Sequence, residues 1–267
     1  MSFSTLLALI AGIAYLTSAG LLGYGLARGG SARGWGQLLA WLAVLVHGAK
    51  LTLILPVEGG LDFQFFHAMS TVGWLMAAIL SLLALVRPVI SMGAALFPVI
   101  ALTALSTMMP AQAVLLGYSD WPLDLHIALA LLAYSVLGVA AVIAIGLAYQ
   151  EHKLRHRSAG ALLNRLPPLQ SSERMLFQAI TAGFLLLTAT LISGWLFMDD
   201  MFAQSLAHKT VLSSISWLVF GVLLWGRWRR GWRGRTAIRF TLAGMAFLIL
   251  AYFGSKLVLE LVLQRPV

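Results

Sequence analysis

The sequence has no cysteine and little charge, since only 10% of its residues are Asp, Glu, Lys or Arg. Without cysteine there are no disulfides, no thioether links to a cofactor, no thiol chemistry and no cysteine-ligated metal. The scarcity of charge, with 60% apolar residues and a mean hydropathy of +0.91, excludes an ordinary soluble domain. Residues 1–27 lack a basic segment at their start, so we expect them to form a retained membrane span.

Apolar stretches of about 20 residues recur along the chain, and each is long enough to cross about 30 Å of hydrocarbon. We therefore predict an all-α membrane protein with eight transmembrane helices, organised as a single polytopic membrane domain over residues 1–267. The predicted spans are residues 3–27, 35–55, 63–86, 89–107, 123–149, 175–197, 208–225 and 236–263.

The basic residues predict the orientation of these spans. Most of the 18 Lys and Arg residues follow odd-numbered spans, in short connectors such as residues 150–172 and 227–235. Cytoplasmic loops carry such an excess, so both termini are predicted to be extracytoplasmic. The formal charge of +9 also fits a nucleic-acid partner, but its placement beside spans favours a topology signal. The expected partner is therefore the lipid bilayer, with no nucleic acid.

Four histidines lie in the outer halves of predicted spans: His47, His67, His126 and His208. An imidazole within a membrane is costly unless it has a partner, so each is a candidate functional residue. His126 is the strongest candidate because residues 125–134 are otherwise apolar, and His47 is second because it lies deepest. For each histidine taken alone, a purely structural role, with its ring hydrogen-bonded inside the protein, is at least as good an interpretation as ligation.

Four imidazoles without cysteine or a carboxylate cluster suit haem better than zinc. Haem iron accepts two axial imidazoles and its macrocycle fits an apolar slot between helices, whereas zinc needs four ligands in a polar setting. We predict a haem b site with His126 and His47 as axial ligands, and His67 and His208 as alternates. Lys50, about one turn after His47, either reaches a haem propionate or extends its amine to the outer surface.

Several motifs together resemble a known family. They are Leu125-His126-Ile127 through Tyr134, Leu166-Pro167-Pro168-Leu169 with residues 188–194, His208-Lys209-Thr210 through Trp217, Gly231-Trp232-Arg233-Gly234-Arg235, and Ala251-Tyr252-Phe253-Gly254. The sequence resembles the cytochrome c assembly protein family, which includes CcsA-, ResC- and HemX-like proteins, and fits the YpjD-like inner-membrane branch in particular. The match is good over residues 123–263 and weaker over residues 35–86.

This resemblance implies a multi-pass protein of the bacterial cytoplasmic (inner) membrane with a haem-handling ancestry. It also implies that His126 corresponds to an outer-side haem ligand. Three features depart from the CcsA pattern. Residues 198–207 contain no Trp-rich haem-presenting loop, Trp225 stands where that pattern has a histidine, and the end of the last span has Leu263-Gln264 and no histidine. We therefore expect a non-enzymatic haem-binding or haem-handling protein, rather than an enzyme that attaches haem to apocytochrome.

An alternative is a cofactor-free accessory or regulatory subunit of a transporter or biosynthetic enzyme. Its partner would be another membrane protein, docked on the basic connectors at residues 150–172 and 227–235. A small-molecule transporter is the least supported class, because neither inverted repeats nor broken helices are evident.

Overall fold

The chain folds almost entirely into α-helices. The computed structural model describes residues 2–57, 60–87, 89–109, 115–116, 121–155, 168–197 and 207–254. The helices are α1 Phe3–Arg28, α2 Ala32–Ile54, α3 Phe65–Val86, α4 Gly93–Ser106, α5 Trp121–Arg155, α6 Leu169–Phe197, α7 Ala207–Arg230 and α8 Arg235–Ile249. A 3-10 turn, Ile90–Met92, precedes α4, and a π-helical turn, Leu250–Gly254, continues α8.

The described strands are short. Strands β1 (Pro56–Val57) and β2 (Gly60–Asp62) pair antiparallel between α2 and α3, with Pro56 opposite Leu61. Strand β3 is Leu115–Leu116. The β1–β2 hairpin places Asp62 just before the first turn of α3.

Seven described helices are long and apolar enough to cross a membrane, and the apolar helix at Ile90–Ser106 is shorter. The prediction of an all-α membrane protein is therefore confirmed. The count of eight spans and the outward position of both termini stay predictions. The last predicted span ends at residue 263, outside the described residues.

The largest extensions beyond the predicted apolar limits are in α5, α6 and α7. α5 continues to Arg155 and α6 begins at Leu169, so the predicted connector at residues 150–172 is too long at both ends. α7 continues to Arg230 instead of ending at Trp225. Hydropathy shows only where a helix leaves the hydrocarbon. The helix itself can continue, because basic side chains in its last turn interact favourably with the negative end of the helix dipole. Residues 156–167 of that connector lie outside the described residues.

The chain divides into two compact units. The first unit comprises Met1–Ala111 and Gln150–Pro168, and the second comprises Gln112–Tyr149 and Leu169–Val267. In the first unit α1 packs against α2 and α4, and α3 packs against α2 and α4. Among its described residues, the large apolar side chains that are fully buried are Tyr15, Leu22, Leu80, Phe97 and Ile100. The assignment of residues 1–267 to one membrane domain stays a prediction.

Close helix packing in the second unit depends on small residues. A Cβ atom on Gly183 of α6 would lie 2.5 Å from the side chain of Leu137 on α5. A Cβ atom on Gly244 of α8 would lie 2.7 Å from the ring of Phe220 on α7. Since real Cβ contacts are longer than 3.0 Å, only glycine permits these approaches without a shift of the neighbouring side chain.

A tight turn joins α7 to α8. Gly231 and Gly234 have φ values of 65° and 56°, a backbone region that glycine adopts without steric cost. Glu173 Oε1 of α6 accepts hydrogen bonds from the Gly234 N–H (3.3 Å) and from Arg227 Nη1 (3.5 Å). Arg227 also donates to the Trp232 carbonyl (3.2 Å). This arrangement holds the end of α7 and the start of α8 against α6.

Candidate functional site

The four candidate histidines divide equally between the two units. His47 and His67 belong to the first unit, and His126 and His208 belong to the second. The convergence of all four on one guest molecule stays a prediction. Within each unit, the structure shows which side chains the histidine rings contact.

His47 is completely buried in α2 with both ring nitrogens in hydrogen-bonding contact. Its Nδ1 lies 3.4 Å from the hydroxyl of Tyr15 on α1, and its Nε2 lies 2.8 Å from the hydroxyl of Ser70 on α3. The Tyr15 and His47 rings also meet edge to face, with centroids 5.8 Å apart. His47 therefore links three helices, and neither nitrogen is available to iron unless one of these contacts breaks.

His67 lies in the first turn of α3, beside a carboxylate that the sequence analysis did not connect with it. His67 Nδ1 is 3.2 Å from Asp62 Oδ2, and both side chains are nearly buried. Asp62 Oδ1 accepts the main-chain N–H of Gln64 at 3.0 Å. The Gln64 amide nitrogen lies 3.1 Å from His67 Nε2. Asp62 is only five residues before His67 and directly precedes the start of α3, so this pairing could have been predicted from the sequence.

Lys50 does not extend to the surface, so that alternative is wrong. The side chain is only 2% exposed, and Nζ donates to the Ala104 carbonyl (2.8 Å) and to the hydroxyl of Thr107. These acceptors lie at the C-terminal end of α4, where main-chain carbonyls lack helical partners. The amine thus caps a neighbouring helix. Its role at a haem propionate stays a prediction.

His126 is half-buried in the second turn of α5 and contacts α6. Its Nδ1 lies 3.0 Å from Ser193 Oγ. The Ser193 hydroxyl donates its proton to the Thr190 carbonyl at 2.9 Å, so Ser193 Oγ accepts from His126 Nδ1–H. That assignment makes Nε2 the unprotonated nitrogen, with a lone pair directed away from Ser193. Ser193 lies 67 residues from His126, and the sequence carried no signal for the contact.

His208 occupies the first turn of α7 and is exposed. In the parts of the chain that the structure describes, no group of three or more His, Asp or Glu residues is arranged to hold a metal ion. A multidentate protein metal site therefore has no support among these residues. In the second unit His126 and His208 stand outside any such group.

Two of the motifs noted in the sequence pack on each other in the second unit. The Tyr134 hydroxyl donates to the Leu248 carbonyl at 2.8 Å, immediately before the π-helical turn. The Tyr134 ring lies 5.9 Å from that of Tyr252 and 6.2 Å from that of Phe253, between centroids. The motif around residues 125–134 thus has a tertiary partner in the motif at residues 251–254. π-Helical turns occur often at functional sites.

The helical membrane architecture and these packed motifs agree with the comparisons with known proteins. Residues 35–263 match the family model described as cytochrome C assembly protein. The chain belongs to the cytochrome c assembly protein family. The resemblance seen in the sequence is therefore confirmed, and the match also includes the region over which that resemblance was weaker.

Three relatives show how far the similarity extends. The inner membrane protein YpjD of Escherichia coli K12 is 34% identical over 264 residues, covering 96% of this chain and 98% of YpjD. A 28.8 kDa protein of Azospirillum brasilense is 33% identical over 248 residues, covering 89% of each chain. The cytochrome c biogenesis protein CcsA of Prochlorococcus marinus NATL1A is 27% identical over 166 residues, covering 52% of each chain. No solved structure matches significantly.

These relatives and the seven apolar helices identify a multi-pass protein of the bacterial inner membrane. The predicted localisation is confirmed. Its relation to cytochrome c biogenesis follows from membership of the family.

Proposed function

We propose that this member of the cytochrome c assembly family is a non-enzymatic haem-binding or haem-handling protein. The observation that carries the proposal is the hydrogen bond from His126 Nδ1 to Ser193, which leaves Nε2 as the unprotonated nitrogen. A histidine that ligates a metal almost always donates its other N–H to a fixed acceptor. His126 meets that requirement.

The surroundings of His126 also suit a haem b macrocycle. Trp121 on α5 and Phe197 on α6 meet with ring centroids 5.6 Å apart, and both rings are partly exposed. Phe197 lies one turn beyond Ser193, so these aromatic rings stand near the same end of α5 and α6 as His126. Haem bound there would be held by His126 and would supply an iron centre whose absorption spectrum reports its ligands.

His208 is the second ligand that we favour within this unit. α5 and α7 cross the membrane in the same direction, because α6 crosses between them, so their first turns lie at the same membrane face. His208 is exposed there. His47, the partner predicted from sequence, would have to release Ser70 or Tyr15 before binding iron. The pairing of His126 with His47 is therefore the weaker proposal.

The proposed topology has eight spans and both termini on the extracytoplasmic side. α4 with its preceding 3-10 turn, Ile90–Ser106, is the short fourth span. His126 and His208 then lie toward the outer face, and the arginine-rich turn between α7 and α8 lies in the cytoplasm. The absence of a Trp-rich stretch before His208 supports binding or transfer of haem without its covalent attachment to a cytochrome.

An optical spectrum of the haem-supplemented, purified protein tests the proposal. We expect a Soret band in the wild type, its loss in His126→Gly, and its recovery when imidazole is added to that variant. His152→Ala, an exposed histidine near the far end of α5, is the matched control and should retain the band. A wild-type protein that binds no haem would refute the proposal.

The second candidate function is a cofactor-free accessory subunit that binds another membrane protein. It is favoured by the internal hydrogen bonds of His47 and Lys50, which are those of structural residues. The same spectra decide between the two functions, because an accessory subunit requires no Soret band.

A further inference from the structure

We propose that Ser193 is the positioning residue of the haem ligand, and that it fixes His126 in the tautomer with Nε2 unprotonated. This inference rests on the proposed function for its haem-dependent consequences. The tautomer itself follows from hydrogen bonds within the second unit and can be measured without haem. Ser193 lies within residues 188–194, a stretch that contributes to the family resemblance, but the sequence did not connect it with His126.

The direction of the Ser193 hydrogen bonds carries the argument. A serine hydroxyl has one proton, and the Thr190 carbonyl 2.9 Å away can only accept. With that proton used, Ser193 Oγ offers its lone pairs to His126 Nδ1 at 3.0 Å. The proton between them must then reside on Nδ1. A neutral imidazole has one N–H, so Nε2 carries the free lone pair that iron needs.

The local structure of α6 holds the serine in place. Ser193 is 6% exposed and Thr190 is 8% exposed, so water does not compete strongly for their polar groups. The Thr190 hydroxyl donates to the Leu186 carbonyl at 2.9 Å. The Thr190 carbonyl accepts from Ser193 and also lies near enough to the His126 ring to favour an N–H on the same side. The two side chains are three residues apart and therefore share one face of the helix. That face meets α5 at His126.

A neutral hydroxyl acceptor has a different effect from the carboxylate that often supports a metal-bound histidine. Ser193 orients the ring, but its hydroxyl oxygen is too weak a base to take the proton from Nδ1. The ligand therefore stays a neutral imidazole. A carboxylate at the same place would make the ligand more basic and favour ferric iron. Ser193 thus provides orientation while leaving the donor strength of His126 moderate, as suits a ligand from which haem is passed on.

The first experiment reads the tautomer in haem-free, full-length protein by ¹⁵N NMR of the histidine rings, with His126→Gln used to assign the signal. We expect the wild type to show a protonated Nδ1 and an unprotonated Nε2. Ser193→Ala should show a mixture of tautomers, and Ser193→Thr, which keeps the hydroxyl, should resemble the wild type. An unchanged tautomer in Ser193→Ala would overturn the proposal.

The second experiment measures the rate of haem loss to excess apomyoglobin from the reconstituted protein. Loss of an outer hydrogen bond to a metal-bound histidine typically costs about 10–100-fold in affinity, so Ser193→Ala should release haem at least about tenfold faster. Ser193→Asp should lower the reduction potential and slow the release of ferric haem. Thr181→Val removes an exposed α6 hydroxyl that donates to the Phe177 carbonyl of its own helix, so it is the control and should behave as wild type.

The outcomes separate the two proposals. A wild type that binds no haem refutes the proposed function and leaves the NMR result to decide the tautomer. A wild type that binds haem, with Ser193→Ala releasing it at the wild-type rate, overturns the role of Ser193 alone. If Ser193→Ala fails to fold, Ser193→Thr and Ser193→Asp supply the comparison, because both keep a polar oxygen at this position. Identical release rates and potentials in those two variants would also overturn it.

Discussion

Lys50 is a lysine buried in the first unit, with only 2% of its surface exposed. An ammonium group removed from water needs hydrogen-bond acceptors, and Lys50 finds them in the Ala104 carbonyl and the Thr107 hydroxyl. Because α4 ends there, the lysine gives the Ala104 carbonyl a second donor beside the Thr107 hydroxyl. One residue of α2 therefore completes the end of another helix.

Replacing Lys50 by methionine should destabilise the protein. Methionine has a similar volume, so the change removes the amine, and the Ala104 carbonyl keeps only the Thr107 hydroxyl as a side-chain donor. Loss of a buried hydrogen-bond partner costs about 1–3 kcal/mol. We expect a lower midpoint of thermal unfolding for Lys50→Met in detergent. Arg155→Gln, which removes an exposed charge at the end of α5, should leave the midpoint unchanged. Equal midpoints for both variants would contradict a capping role.

The sequence indicated which residues are unusual but not what they touch. Histidines and a lysine in apolar spans stand out because their burial is costly. Their partners are distant in the chain, as Ser70 is from His47 and Ser193 is from His126, and serine is too common in helices to be informative. Asp62 was the exception, because its separation from His67 is only five residues.

At the scale of helices, the contact between α5 and α6 depends on one glycine. Gly183 allows Leu137 to approach so closely that a Cβ atom would lie 2.5 Å from it. Leu137 is fully buried and has little room to move. The same two helices carry His126 and Ser193, so their separation also sets the geometry of the candidate site.

Gly183→Ala should separate these helices and destabilise the protein. Overpacking a buried contact typically costs about 1–3 kcal/mol. Gly146→Ala on α5 is the matched control, because a Cβ atom there meets nothing within 4 Å and alanine favours a helix. We expect a lower thermal midpoint for Gly183→Ala only. Haem retention should fall with it if the spacing of α5 and α6 sets the site.

Helix existence was more predictable than helix ends. Long apolar runs must be helical in a bilayer, since every main-chain polar group needs an internal partner. The ends at Arg155 and Arg230 were not predicted, because charged residues continue a helix after its apolar part has stopped. The π-helical turn after Ile249 also carries no sequence pattern of its own.

For the whole molecule, the proposed topology rests on the distribution of basic residues. The α1–α2 turn and the α7–α8 turn should face the cytoplasm, while the segment after α4 should face outward. The absence of native cysteine makes this testable with single introduced thiols and no background.

In intact cells, Met109→Cys should react with a membrane-impermeant maleimide, and Ser31→Cys should react only after the membrane is permeabilised. Both residues are exposed in the structure, so each thiol should be reachable from its own side. Labelling of Ser31→Cys in intact cells, with Met109→Cys protected, would invert the topology. Labelling of both from outside would mean that α4 does not complete a span.

The short helix at Ile90–Ser106 has a consequence for the surrounding lipid. Three residues of 3-10 turn at about 2.0 Å each and fourteen of α-helix at about 1.5 Å each reach about 27 Å, whereas hydrocarbon is about 30 Å thick. If this helix crosses, the acyl chains beside it must compress, and the polar end near Thr107 draws headgroups and water inward. The bilayer is then thinnest along one flank of the protein, where an amphiphilic guest has the shortest path between water and oil.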